Sequence, residues 1–537
     1  YHCLSSGINA EYMGTQSMDF GLFLFGPLNS SLTAILLLSL TIWATIIVLT
    51  SWNRRRRRHP VRGTVLHSVL NFRRIYHYLT DIASETTTFR ILNLFRSAVM
   101  TTDPANVEHF LKTNFANYTK GSYQQDILTD LLGEGIFTVD GERWQHQRKV
   151  SSYEFSTRKL RDFSSQVFRK NASKLARLLS QATDSGRSVE IYDLFMKFGM
   201  DTTFHVLLGV ELDNLCGTNE EGAEFSKAFD EANCLLSRRY IDVSWKIKRL
   251  LNIGTEAMLR DKLKVVDEFV YKVIQRKIVE EHHSQDPSSV KREDIVSRFL
   301  ASNETDPKFL RDIAMSFIIA GKDTSVITLC WFVYMLCKHP EIQEKIAREV
   351  SEATGVCDGL SFDDAASRIT EEALNKMHYL HATLTETLRL YPPIPVDGKL
   401  CVSDDIWPDG FTVSGGDFVV YLAYSMGRMA SLWGDDAEVF RPERWLDENG
   451  VFQQPSSFKF ITFHAGPRIC LGKEFAYRQI KIVSALLVSE FAFKLSDEKR
   501  EINYKAGLTL HIDGDLLVRA SPRKMIIVDK DVKFMRH

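Results

Sequence analysis

Phe463-His464-Ala465-Gly466-Pro467-Arg468-Ile469-Cys470-Leu471-Gly472 sets one cysteine in a glycine-bounded loop of the form F-x-x-G-x-R-x-C-x-G. Five fixed residues at fixed spacing, one of them cysteine, arise by chance about once in ten thousand chains of this length at average composition. The reactive and metal-ligating form of cysteine is the thiolate, so the chemistry on offer is that of a sulfur anion. Gly466 permits a tight turn, and Gly472 lets backbone approach the sulfur. A long amphipathic segment, Leu471 to Phe491, starts just after the cysteine, and the positive end of a helix there favours the thiolate.

Three other patterns precede this loop. Trp144 and Arg148 form W-x-x-x-R, a spacing that puts both on one helix face. In Ala320-Gly321-Lys322-Asp323-Thr324-Ser325, Gly321 weakens a helix and Thr324 can hydrogen-bond back to the Ala320 carbonyl, which bends it and opens a groove. Glu386-Thr387-Leu388-Arg389 is an i,i+3 ion pair of a kind common on surfaces. It is followed by Leu390-Tyr391-Pro392-Pro393 and later by Phe440-Arg441-Pro442-Glu443-Arg444-Trp445.

The elements that must hold these residues are mostly helical. Helical periodicity dominates from about residue 70 to 390, as in Phe163–Leu179, Ile191–Leu208, Leu263–Glu281, Phe309–Lys338 and Glu341–Ala353. From about 391, turn residues and short β-type runs take over: Phe418–Tyr421, Leu508–Leu510 and Leu516–Val518. No internal repeat is visible, and the mix implies a mainly helical α+β body, not alternating βαβ units. With 44% hydrophobic and 25% charged residues, and no Pro/Gly/Ser-rich linker after residue 70, one large domain is expected despite 537 residues. The net charge of −1 argues against bulk binding to nucleic acid. The other seven of the eight cysteines (Cys3, Cys216, Cys234, Cys330, Cys337, Cys357 and Cys401) are scattered without zinc-like spacing, as expected of small buried residues in a reducing compartment.

Leu32 to Thr50 is an apolar run of nineteen residues, long enough at about 1.5 Å per residue to cross one bilayer core. Arg54 to Arg58 follow at once, so the body after residue 53 is expected on the cytosolic side. The reading is a luminal segment over 1–30, an anchor over 31–53, a basic and proline-containing hinge over 54–70, a catalytic domain over 71–522 and an uninterpreted tail over 523–537. Because the first residue is Tyr1, residues 1–12 or 1–17 read as translated upstream sequence, with Met13 or Met18 as the start.

In these motifs and their order, from residue 144 to 472, the chain resembles the cytochrome P-450 family over about residues 60–522. The resemblance implies a large helical domain with a smaller β-rich region, preceded by one transmembrane helix. It makes Cys470 the sulfur ligand of the iron of haem b, with Phe463 beside the macrocycle and Gly472 behind the sulfur. Thiolate ligation pushes electron density to the iron and promotes O–O cleavage. By the same resemblance Arg468, Trp144 and Arg148 hold haem propionates, and Lys399 is either a further propionate partner or a solvated lysine. Ala320, Asp323 and Thr324 look like the oxygen-activation motif, the last two relaying protons. Glu386, Arg389 and Arg444 form a buried cluster that locks the Cys470 loop to the helical core.

The implied reaction puts one atom of O2 into a C–H bond and releases the other as water, using electrons from NADPH through a flavoprotein reductase in the same membrane. A monomer in the endoplasmic reticulum membrane, acting on an apolar small molecule, is expected. The segments FHAGPRICLGKEFAYRQ, AGKDTS, YPPIPVDGK and GLTLHIDG are similar to those of plant long-chain fatty-acid ω-hydroxylases. Candidate pocket residues are Gly135, Phe137, Phe317, Ile318, Ile394, Pro395, Val396, Leu508 and Thr509. The alternatives are hydroxylation of another apolar substrate such as a terpenoid, a haem-thiolate isomerase or dehydratase of oxygenated lipids, against which Thr324 speaks, and a non-enzymatic haem or lipid carrier.

Overall fold

The computed structural model describes Ser39 and residues 58–93, 97–283, 293–302, 304–355 and 359–523. Apart from Ser39, the apolar run Leu32–Thr50 lies outside the described residues. So do Arg54–Arg57, the alternative starts, and the tail from 524.

Helices make up most of the described chain, and one of them organises the rest. Pro307–Lys338 starts where Asp306 accepts hydrogen bonds from the backbone N–H of Lys308 (3.1 Å) and Phe309 (3.2 Å). Pro307 sits in the first turn, where no intrahelical donor is needed. The helix stops at His339, which Pro340 holds out of the helical region (φ −129°, ψ 71°). Among the described residues it alone is long and apolar enough to cross a membrane, but 78% of its most apolar window is buried inside the protein. It is a core helix.

Ile191–Leu208 crosses this central helix at close range. A Cβ on Gly199 would lie 2.4 Å from Val326 Cγ2, and one on Gly321 would lie 3.1 Å from Thr203 Cγ2. Gly321 therefore serves helix–helix contact. The central helix keeps α-helical hydrogen bonding through residues 320–325, so the glycine does not interrupt it. The expected helices are all present, with Pro340–Thr354 and Lys473–Glu490 close to their expected bounds, while Arg158–Asp184 extends five residues further at each end and Gly254–His283 begins nine residues earlier than the periodicity indicates.

A six-stranded sheet flanks the helices, in the order Val61–Thr64, Thr88–Leu92, Ser97–Thr101, Phe418–Tyr421, Asp397–Cys401, Tyr118–Thr119. Two features depart from expectation. The hinge over 54–70 is not free in its second half: Val61–Thr64 pairs in parallel with Thr88–Leu92, and the buried His59 bonds Asp409 (2.9 Å) and stacks on Phe411. Pro60 and Gly63 thus sit at a sheet edge, where a missing donor is tolerated. Leu508–Leu510 is a turn, and the strand is His511–Asp513, paired with Asn503–Lys505. Apolar periodicity over three residues does not distinguish a strand from a buried turn.

Gly199→Leu tests the helix crossing. Overpacking against Val326 should lower stability by about 1–3 kcal/mol, read as a shift of the denaturation midpoint. Lys197→Ala, on the same helix but at a side chain that reaches solvent, should leave the midpoint nearly unmoved.

Candidate functional site

The cysteine loop is built by local backbone bonds. Cys470 N–H donates to the Phe463 carbonyl (2.8 Å) and Ile469 N–H to that of Gly466 (3.0 Å). Gly466 has φ +66°, and a Cβ there would meet the Leu111 carbonyl at 2.1 Å, so both conformation and space require glycine. His464 also has positive φ (59°), and its ring lies 3.3 Å from Asp397. The helix Lys473–Glu490 begins directly behind the sulfur with Gly472 at its cap position. A Cβ on Gly472 would stand 4.0 Å from Cys470 Sγ, an ordinary contact, so the sulfur itself does not exclude a side chain there.

Cys470 has accessible surface, yet protein encloses it on all sides, so the sulfur faces an internal cleft and not the exterior. Burial pushes its thiol pKa up. The Gly472 backbone N–H and the positive charges of Arg148 and Lys473 oppose that shift and favour the thiolate. Phe463 packs against Tyr477 (ring centroids 5.1 Å apart) beside this cleft.

Basic residues gather at one side. Arg468 donates to Asp140 (2.6 Å) and to the Val139 carbonyl (3.0 Å), and its guanidinium lies 4.4 Å from the Trp144 ring centre. Its buried Nε has no partner among the described residues. Trp144 is buried with Ile136 and Val139, while Arg148, one turn on, is half-buried beside the sulfur and has no carboxylate partner among the described residues. Lys399 is fully buried with an Nζ that likewise has no partner among them. Burial, with Lys120 and Arg468 nearby, drives its pKa well down. The solvated-lysine alternative does not fit this environment. Asp397, which bonds Lys120 (3.3 Å) and His464, and Asp140 complete the group. Neither acid was legible in the sequence, because nothing local marks a carboxylate that will face distant cations.

On the central helix, Phe317, Ala320 and Thr324 are half-buried, an i, i+3, i+7 stripe. Thr324 Oγ1 donates to the Ala320 carbonyl at 2.5 Å, as the spacing predicts. Asp323 is buried on a different face, held by Lys322 and Asn233. Of the candidate pocket residues, Phe137 (37% exposed), Ile394, Val396 and Leu508 keep accessible surface. Ile318 (0%), Pro395, Gly135 and Thr509 are buried and belong to the core. Ile318 points off the stripe, and a Cβ on Gly135 would meet Ser316 Oγ at 2.1 Å.

The ion cluster forms as expected but fastens a different segment. Arg389 makes two 2.7 Å bonds to Glu386, and Arg444 Nε lies 3.5 Å from it; Glu386 and Arg389 are fully buried. Trp445 Nε1 and Arg441 N–H also donate to Glu386, each at 2.9 Å. Arg389 caps the carbonyls of Gly427, Ala437 and Val439. The cluster therefore ties the helix His378–Leu390 to residues 427–445. The cysteine loop reaches the same helix separately, where Thr462 Oγ1 donates to the Leu388 carbonyl (3.1 Å). Among the other cysteines, Cys330 and Cys401 are buried, Cys234 and Cys337 half-buried, and Cys216 exposed, against the expectation of burial; Cys3 and Cys357 lie outside the described residues.

An enclosed but accessible sulfur at a helix start, with basic donors nearby that lack partners among the described residues, suits an anionic ligand held through a thiolate. Comparison with known proteins agrees. The family described as Cytochrome P450 matches residues 55–518. The chain is 48% identical over 505 residues to cytochrome P450 704C1 of Pinus taeda, covering 91% of this chain and 96% of that protein. It is 39% identical over 529 residues to cytochrome P450 704B1 of Arabidopsis thaliana (92% and 100%) and 36% identical over 447 residues to cytochrome P450 94A1 of Vicia sativa (81% and 84%). The chain belongs to the cytochrome P450 family and is a monooxygenase. The family implies haem, O2, electrons from a redox partner and an apolar substrate.

Replacing Glu386 by Leu leaves Arg389 buried without its carboxylate. The expected loss is about 3–5 kcal/mol, measured by chemical denaturation, with a matching fall in yield of folded protein.

Proposed function

We propose that this monooxygenase hydroxylates long-chain fatty acids, at the ω or an in-chain carbon, with Cys470 as haem ligand and electrons passed from NADPH by a membrane flavoprotein reductase. The carrying observation is the Cys470 sulfur, which opens onto an internal cleft and not the exterior; the candidate pocket residues Phe137, Phe317, Ile394, Val396 and Leu508 are apolar and keep accessible surface. Apolar walls of this kind suit an alkyl chain. The motif wording, similar to that of plant fatty-acid hydroxylases, supports the substrate class.

The residues present fit haem. Lys399 Nζ and Arg468 Nε are buried donors without acceptors among the described residues, a costly state that two propionates would relieve, and a propionate beside Lys399 would favour its charged form. Arg148 stands near the sulfur without a carboxylate of its own among those residues. Bound haem supplies the activation of O2 that inserts one oxygen atom and releases the other as water. The protein's part is to hold Cys470 as an anion through the Gly472 N–H and nearby cations, to exclude bulk water with apolar walls, and to manage protons. Thr324 Oγ1, bonded to the Ala320 carbonyl, is the proton-holding hydroxyl, and the buried carboxylate of the adjacent Asp323 is the acid to resupply it. That hydroxyl favours oxygenation over isomerisation of an oxygenated lipid.

A bilayer setting is supported by two exposed apolar segments. Val243 (90%) and Leu250 (84%) accompany Ile241, Ile247, Leu251 and Ile253 around the short helix Trp245–Leu251, interleaved with Lys246, Lys248 and Arg249. Leu66, Val69 and Leu70 are exposed on Val65–Leu70. With the apolar run over 31–53, this fits a monomer anchored in the endoplasmic reticulum membrane with its body in the cytosol.

The test is incubation of enzyme, reductase and NADPH with medium- and long-chain fatty acids, with hydroxy acids read by mass spectrometry. Turnover of a terpenoid or phenolic but of no fatty acid would overturn the substrate. Cys470→Ser should abolish the red-shifted Soret band of the reduced carbon monoxide complex. Thr324→Ala should cut product formation on the order of 100-fold while leaving that band in place.

A further inference from the structure

Both oxygens of Asp323 are held, one by Lys322 on its own helix and one by Asn233 on a neighbouring helix that also engages Lys322. Oδ1 accepts from Lys322 Nζ (3.1 Å) and Oδ2 from Asn233 Nδ2 (3.2 Å). The same Lys322 ammonium bonds Asp230. Asp230 and Asn233 stand three residues apart on Glu220–Ser237, hence on one face of it. This helix packs through Phe225, Phe229 and Leu236 into the main core and ends just before the exposed apolar segment around 241–253.

The charges do not balance. One ammonium serves two carboxylates. Burial disfavours the charge on Lys322, but the attraction of Asp230 and Asp323 outweighs it and keeps the amine protonated. Burial chiefly, with repulsion from Asp323, raises the Asp230 pKa, and Lys322 only partly offsets this. The Asp230 side chain is 45% accessible although protein encloses it, so it opens onto internal space beside the central helix. A lysine shared in this way binds Asp323 less firmly than one committed to it alone, because the two acids compete for the same donors.

We propose that Asp230 and Asn233 are positioning residues for Asp323: the helix Glu220–Ser237 orients that carboxylate through Asn233 and draws part of the Lys322 charge away from it through Asp230. The seating of this helix is thereby coupled to proton supply at Thr324. The inference rests on the reading of Asp323 and Thr324 as the proton-handling pair. A purely structural ion cluster would affect folding stability alone.

The experiment uses the haem-loaded enzyme with reductase and a substrate it turns over. Three quantities are read: product formed per NADPH oxidised, the solvent deuterium isotope effect on turnover, and backbone hydrogen exchange of residues 225–236 in the resting enzyme. Asp230→Asn should commit Lys322 to Asp323, lower product per NADPH roughly threefold or more, and raise the isotope effect. Asn233→Ala, which leaves the ion pairs intact, should lower product per NADPH as well and speed exchange in 225–236. Asp230→Glu should restore wild-type behaviour. Wild-type coupling and isotope effect in both Asp230→Asn and Asn233→Ala, even with reduced thermal stability, overturn the proposal. Asp323→Asn separates the two levels. If it changes neither quantity, the proton reading itself fails; if it changes both while the Asp230 and Asn233 variants change neither, only the positioning role falls.

Discussion

A sulfur anion inside a protein survives only where donors and positive charge face it and bulk water does not. The surroundings of Cys470 meet part of that constraint. Burial alone disfavours the thiolate, and the compensation comes from the Gly472 N–H at the start of a helix and from Arg148 and Lys473. The loop that presents the sulfur can exist only because Gly466 adopts φ +66° against the Leu111 carbonyl. The loop in turn needs a fixed floor, which Thr462 provides by its bond to Leu388 on the helix His378–Leu390.

That helix carries the buried Glu386 and Arg389, and their function is broader than gripping the cysteine loop. Arg389 spends its donors on three carbonyls between 427 and 439, a stretch with little regular structure of its own. An irregular buried segment must find partners for its backbone groups, and one guanidinium with five donors meets several at once. The cluster thus supplements the short helices Ala430–Trp433 and Pro442–Trp445 in a part of the fold with little other regular structure.

A second electrostatic system lies on the central helix. Pro307–Lys338 bonds Thr324 back to its own Ala320 carbonyl and turns Asp323 towards Glu220–Ser237, two neighbouring residues with different surroundings because consecutive helix positions point about a quarter-turn or more apart. Lys322 and Asp323 are buried charged residues on the core helix that bond each other and are further satisfied across elements by Asp230 and Asn233. The close crossing by Ile191–Leu208, allowed by Gly199 and Gly321, fixes the helix that bears them.

The cysteine loop, the back-bonded threonine, the main helices and the Glu386–Arg389 pair were all legible in the sequence, because each depends on spacing within a single element. Local geometry translates residue offsets directly into turns, faces and i,i+4 bonds. What the sequence could not supply were relations between distant segments. That Asp140 and Asp397 stand among the basic groups, that Lys399 is buried, that Ile318 is buried while Phe317 keeps accessible surface, and that residues 61–64 pair with a strand all depend on how elements pack. Packing couples residues tens to hundreds of positions apart, and no local pattern of polarity records which distant charge or surface a side chain will meet.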